Sequence, residues 1–247
     1  MKLSTYISFT GNQLKIIAAL LMLVDHIGVM LYPDVLELRI IGRLSFPLFA
    51  FKIAEGCVHT KNKIKYFSWI FLLGILCQIV FYYVEKSTDL GILITFSFSI
   101  LLCYLLEYLK KTLVSKEKGI FIKIHLVIAF VFAIFATYLF NQKYYVDYGF
   151  YGCVLPLFAC LFRKVKANGK EYLKSLDHNF IHVILFGIGL CLLSVDFGGV
   201  QFYSLWAIPL LLLYSGKRGK WRMKWFFYIF YPVHFVVLTL IQQLFYR

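Results

Sequence analysis

Residues Leu14–Thr60 read LKIIAALLMLVDHIGVMLYPDVLELRIIGRLSFPLFAFKIAEGCVHT, two apolar runs joined by a short polar segment. Each run is long enough to cross a bilayer, which takes about 17–25 residues. Within the runs lie Asp25, His26, Lys52 and Glu55. A charged side chain at the centre of a membrane helix costs about 2.5–3.5 kcal/mol on the insertion scale. Ionisable groups in such places face a bundle interior and mark functional sites. The stretch therefore predicts an all-α transmembrane bundle with polar chemistry in its first two spans.

The rest of the chain has the same character. Of 247 residues, 61% are hydrophobic and 15% charged, with a mean hydropathy of +0.78. A soluble domain carries about 25% charged residues. Barrel strands alternate in polarity, and these runs do not. Nine spans are expected, near residues 14–32, 44–60, 66–84, 91–109, 120–140, 149–162, 180–195, 202–215 and 225–245. They fill residues 1–247 as a single integral-membrane domain and leave no room for a soluble one.

The net charge of +14 suggests nucleic acid only until its distribution is considered. Lysines and arginines of the N-terminal tail and alternate loops (around residues 2–15, 61–65, 110–123, 163–174 and 217–224) number 20. The opposite set, Arg39, Arg43, Lys86, Lys143 and Arg247, numbers 5, and Lys52 lies within a span. The positive-inside rule then predicts a cytoplasmic N-terminus and an outside C-terminus. Topology and anionic lipid account for the basic surplus, and no nucleic-acid partner is expected. The first run carries Asp25–His26 and no small-residue cleavage site, unlike a signal peptide. The six cysteines all lie within spans, lack C-x-x-C spacing, and read as small apolar residues.

Several positions carry chemistry. Lys15 and His26 are eleven residues apart on one helix face, with His26 about 16 Å deeper. Pro33–Leu44 reads as an interfacial amphipathic helix; its Arg39 and Arg43 either snorkel to the interface or, for Arg43, turn inward to hold a carboxylate. Pro47 predicts a kink in the second span, where Lys52 and Glu55 stand at i,i+3 and can pair. Gln78, Thr95, Ser97 and Ser99 read as packing groups. His125, His178 and His182 read as interfacial. The sixth and eighth spans are short, as in bundles that enclose a site. Lys217 and Arg218, flanked by Gly216 and Gly219, are candidates for meeting phosphate. In the last span Tyr231 and His234 share a face beside Pro232, with His234 near the depth of His26. The two histidines would meet if the first and last helices pack together.

A buried histidine beside an aspartate is a general base with an orienting carboxylate, provided the carboxylate reaches the ring. Such a base suits acyl transfer from a thioester to an amine or hydroxyl. The same groups suit a proton-coupled transporter, with Asp25, His26, Lys52, Glu55 and His234 as a relay. A non-catalytic pilus or secretion scaffold is a third reading. No H-E-x-x-H or comparable spacing is present, so no metal is expected.

Several motifs resemble the TraX family: Lys15–Ala18, Asp25–Gly28, Arg39–Leu44 with Phe46–Pro47, and Ala54–Gly56 with Thr60. Later ones are Tyr148–Gly149 with Tyr151–Gly152, Leu213–Tyr214 with Gly216–Gly219, and Phe227–Tyr228 through His234. The resemblance implies a multi-pass acetyltransferase of the inner or plasma membrane, associated with acetylating the N-terminal amine of conjugative pilin from acetyl-CoA. The first and last helices are also distantly similar to membrane sugar O-acyltransferases, whose first-span histidine acts as base. On that resemblance His26 is the base. The other roles are assigned from the residues themselves: Asp25 tunes His26; Arg43, Glu55, Tyr231 and His234 serve the substrate; and Lys15, Lys217 and Arg218 meet the phosphates of acetyl-CoA. Lys52 stands where the family would be apolar. The expected partners are the bilayer, acetyl-CoA and a protein or glycan acceptor.

Overall fold

Apolar runs with few breakers fold as helices wherever they were expected. The computed structural model describes residues 8–220 and 223–245; the charges of Lys2, Arg222 and Arg247 used in the topology lie outside the described residues. The helices are α1 (Gly11–Met30), α2 (Leu36–Gly42), α3 (Ser45–His59), α4 (Lys63–Glu85), α5 (Ile92–Val114), α6 (Ile120–Lys143) and α7 (Gly149–Cys160). After a small hairpin, β1 (Val165–Ala167) and β2 (Lys170–Tyr172), come α8 (Asn179–Phe197), α9 (Ala207–Leu212) and α10 (Lys224–Phe245).

The nine expected crossings differ in length. Among the described residues, six helices (α1, α4, α5, α6, α8 and α10) are long and apolar enough to span a membrane. The 15 residues of α3 rise about 22 Å, short of the roughly 30 Å hydrocarbon core. The 12 residues of α7 are shorter still. The eighth stretch divides into a 3-10 helix, Gly199–Trp206, followed by α9. The protein is a multi-pass, all-helical membrane protein.

Two units emerge. The first takes the chain up to Lys52 and from Ser194 onward, and the second takes Ile53–Leu193. The first helix and the last therefore belong to the same unit.

In the first unit, Thr10 and Gln13 form a capping box at the start of α1. The N–H groups of Gly11 and Asn12 donate to the carbonyls of Lys217 (2.7 Å) and Arg218 (3.0 Å). Donors that a helix start leaves unpaired are thus satisfied by a loop over 200 residues away. Helix α1 packs against α2 and α10. Two glycines set the approach to α2: a Cβ on Gly28 would lie 2.8 Å from Leu38 Cβ, and one on Gly42 2.6 Å from Asp25 Cα. Ser45 Oγ donates to the Ala18 carbonyl at 2.8 Å and ties the start of α3 to α1. Pro47 is the third residue of α3. There its missing N–H costs no helical bond, so the kink expected from it does not arise.

In the second unit, α5 is the core helix, packed by α4, α6 and α7. Its Thr95 donates to the Asp147 carbonyl (2.6 Å) and its Ser99 to the Cys153 carbonyl (2.8 Å), so these hydroxyls are packing groups. Lys110 Nζ caps the end of α7 by donating to the carbonyls of Cys160, Leu161 and Arg163. The hairpin turns on Asn168–Gly169, both with positive φ, the pairing that two-residue hairpin turns favour. Helix α6 leaves nearly all of its apolar surface uncovered by the rest of the described chain.

The Gly42 contact gives a direct test. Gly42→Ala must push α2 from α1, with an overpacking cost of about 1–3 kcal/mol, read as a lowered melting temperature in detergent. Gly119→Ala, whose Cβ meets nothing within 4 Å, should leave the melting temperature nearly unchanged.

Candidate active site

Packing α1 beside α10 brings His26 and His234 together, with Nδ1 of the first 2.8 Å from Nε2 of the second. His234 is 6% exposed. Its Nδ1 lies 2.8 Å from the carbonyl oxygen of Phe230, one turn earlier. A carbonyl only accepts, so Nδ1 of His234 carries a proton. In a neutral ring Nε2 is then the acceptor, and His26 must donate to it from Nδ1. The unprotonated nitrogen left over is Nε2 of His26. The chain of bonds thus gives His26 the tautomer of a general base, with His234 orienting it. Tyr231 stands edge-on to His234, ring centroids 5.9 Å apart.

Asp25 does not orient His26, contrary to expectation. Adjacent helical residues point about 100° apart, and Asp25 faces α2. Arg39 Nη1 pairs with its Oδ2 at 2.9 Å, and Arg43 Nη2 reaches both carboxylate oxygens, at 3.3 and 3.2 Å. Both arginines therefore turn inward. Arg43 also donates from Nη1 to Gln201 Oε1 at 3.3 Å. Gln201, in the 3-10 helix, is 3% exposed. A glutamine at the edge of an apolar stretch was the sequence signal for it, and composition alone gave it no weight.

Glu55 belongs to a separate constellation, within the second unit. Arg163 binds its carboxylate directly, and His59 Nε2 lies 3.6 Å from it. Arg163 also approaches Asp177 at 3.8 Å, and Asp177 accepts from His182 Nε2 at 2.8 Å. His182 is fully buried, not interfacial as its position near a helix end suggested. In sequence, Arg163 belongs to a basic loop and reads as topological charge, and no local pattern marks Asp177. Gly56 admits Tyr66, whose ring would collide with any Cβ there.

The basic groups of the first unit divide as well. The carbonyls of Lys217 and Arg218 are committed to the start of α1, and their side chains are exposed. Gly219, at φ 95°, is required by close approach: a Cβ would lie 3.1 Å from Thr10 Oγ1. Gly219 thus serves the approach of this loop to the start of α1, whereas a Cβ on Gly216 would meet nothing within 4 Å. Lys15 is half-buried and lies over the Phe227 ring, 5.6 Å from its centroid. Lys52 Nζ donates to Tyr214 Oη at 2.9 Å.

A family profile described as TraX protein matches residues 10–242. The chain is 28% identical over 257 residues to "Probable fimbrial assembly protein FimC, serogroup H1" of Dichelobacter nodosus, covering 96% of this chain and 97% of that protein. It is 38% identical over 68 residues to "Uncharacterized protein RP591" of Rickettsia prowazekii (strain Madrid E), 28% of this chain and 25% of that one. No solved structure matches.

Removing one member of a buried ion pair leaves the others uncompensated, at about 3–5 kcal/mol. Asp25→Ala should therefore lower the unfolding midpoint in detergent sharply, with Asp25→Glu milder.

Proposed function

The chain belongs to the TraX family, and from that premise we propose that it is an integral-membrane acetyltransferase. The acetyl donor is acetyl-CoA, taken from the cytoplasm. The acceptor is an amine, such as the N-terminus of a pilin-like protein, or a glycan hydroxyl. The observation that carries this reading is the bond sequence from the Phe230 carbonyl through His234 to His26, which leaves His26 Nε2 as a free base. The family's association with pilin acetylation supports the reaction class. The fimbrial-assembly name of the Dichelobacter relative supports a pilin-like acceptor.

In this mechanism the acceptor amine attacks the acetyl carbon while His26 Nε2 removes its proton. His234 holds the His26 ring through Nδ1 and stabilises the imidazolium by accepting its hydrogen bond. Collapse expels the CoA thiolate, which takes the proton back from His26. Proton transfer by a positioned histidine contributes about 10²–10⁴-fold. Asp25 acts through Arg39 and Arg43, which it positions, and Tyr231 flanks the acceptor. Lys15, Lys217 and Arg218 meet the phosphates of the donor. Lys15 and His26 are about 16 Å apart along α1, a gap suited to an extended, uncharged pantetheine arm. Glu55 has a positional role through Arg163 in the second unit. This arrangement requires a cytoplasmic N-terminus, as the distribution of basic residues predicts, in an inner or plasma membrane with the C-terminus outside.

Acetyl-CoA at 100 times its dissociation constant should stabilise the purified protein by about 2.7 kcal/mol, whereas CoA and ATP should act differently. His26→Ala should abolish acetylation of a pilin-like peptide, read by mass spectrometry, while membrane abundance stays normal. His234→Phe should slow turnover about 100-fold with the donor still bound. A His26→Ala protein that acetylates normally would overturn the mechanism.

A further inference from the structure

Around Asp25, the neighbour of His26 in sequence, two buried donors have nothing to bond. Arg43 Nε and Gln201 Nε2 are enclosed by protein without a hydrogen-bond partner. Burying an unsatisfied donor carries the full desolvation penalty of the group, and folded proteins keep few of them. Flipping the amide does not cure it. Gln201 Oε1 accepts from Arg43 Nη1, and exchanging oxygen and nitrogen would set two donors against each other. The backbone also holds the residue in place. Gln201 N–H donates to the Gly198 carbonyl at 3.1 Å, and the Gln201 carbonyl accepts from Ser194 Oγ at 3.3 Å. Charge points the same way as the orphan donors, because the single carboxylate of Asp25 accepts from two guanidiniums. A group that accepts hydrogen bonds and gains negative charge would complete this arrangement.

We propose that Gln201 and Arg43 form the oxyanion site of the transfer reaction, an inference that rests on the acetyltransferase reading above. As the acceptor nitrogen bonds to the acetyl carbon, the carbonyl π electrons move onto its oxygen. His26 Nε2 takes the proton released from nitrogen. Gln201 Nε2–H and Arg43 Nε–H donate to the resulting alkoxide. When the carbonyl re-forms, the carbon–sulfur bond breaks and the thiolate leaves with the proton from His26. Donors already aimed at the developing charge stabilise it without reorganisation, which is the use that fixed, unsatisfied donors serve. Asp25 is the positioning residue that holds Arg43 for this task.

The test compares wild type with Gln201→Glu and Gln201→Met, using acetyl-CoA and a pilin-like peptide amine. Glu keeps an oxygen for Arg43 but replaces the free donor with an acceptor. Met keeps the length without either. Both variants should lose about 10²–10³-fold in kcat, with KM for acetyl-CoA nearly unchanged. The melting temperature of Gln201→Glu should not fall, since it places a carboxylate beside Arg43; a merely structural glutamine would not separate kcat from stability in this way. If the Met variant fails to fold, the Glu variant decides. Variants that turn over like an active wild type overturn the oxyanion site alone. A wild type that neither binds nor turns over acetyl-CoA overturns the acetyltransferase reading, and the oxyanion site with it.

Discussion

The Asp25 carboxylate organises the first unit. A carboxylate within a membrane-spanning helix is stable only against compensating charge, and Arg39 and Arg43 supply it from the next helix. Meeting that demand brings the seven-residue α2 onto α1, with Gly42 at the Asp25 backbone. It also turns Arg43 toward Gln201, 158 residues later. One carboxylate, paired with two arginines, thus sets the relation of three elements. Because the carboxylate is engaged there, the next residue, His26, points away from it and finds its partner on α10 instead.

That partner defines the character of the site. A histidine oriented by aspartate gains a full counter-charge, whereas His26 is oriented by a second imidazole that a backbone carbonyl holds in one tautomer. The relay ends in a neutral dipole, so no net negative charge is placed beside the base. Arg39 and Arg43 bring positive charge to Asp25, its neighbour in sequence. In the proposed acyl transfer, where negative charge develops on the substrate, such an environment is favourable. The second unit uses its ionisable groups differently. Glu55, Arg163, Asp177 and His182 engage one another in a chain whose two ends, Glu55 and His182, are buried.

Much of the helix pattern was legible in the residues. Expected spans and observed helices coincide within a few positions, because hydropathy and helical period are local properties. Length is the point of difference: α3, α7 and the Gly199–Leu212 stretch are apolar and helical but shorter than α1, α4, α5, α6, α8 and α10. The hairpin at Asn168–Gly169 was missed, although Asn-Gly is a strong turn signal, because basic composition dominated that loop. At the site, Asp25, His26, Arg43 and His234 stood out because ionisable groups in apolar runs are costly. Gln201 did not, because a single amide costs far less than a charge.

The amino-acid sequence by itself determined that this chain is a multi-pass helical membrane protein and which of its buried groups need partners. Solvation accounts for both: an apolar run or a charge within it has its cost wherever the chain goes. Only the tertiary structure decided which partners those groups take. Asp25 bonds Arg39 and Arg43 and not its neighbour His26; Glu55 bonds Arg163, 108 residues away; the carbonyls of Lys217 and Arg218 cap α1. Such pairings depend on directions of side chains from helices distant in sequence. Those directions are fixed only when the helices pack, so no local pattern carries them.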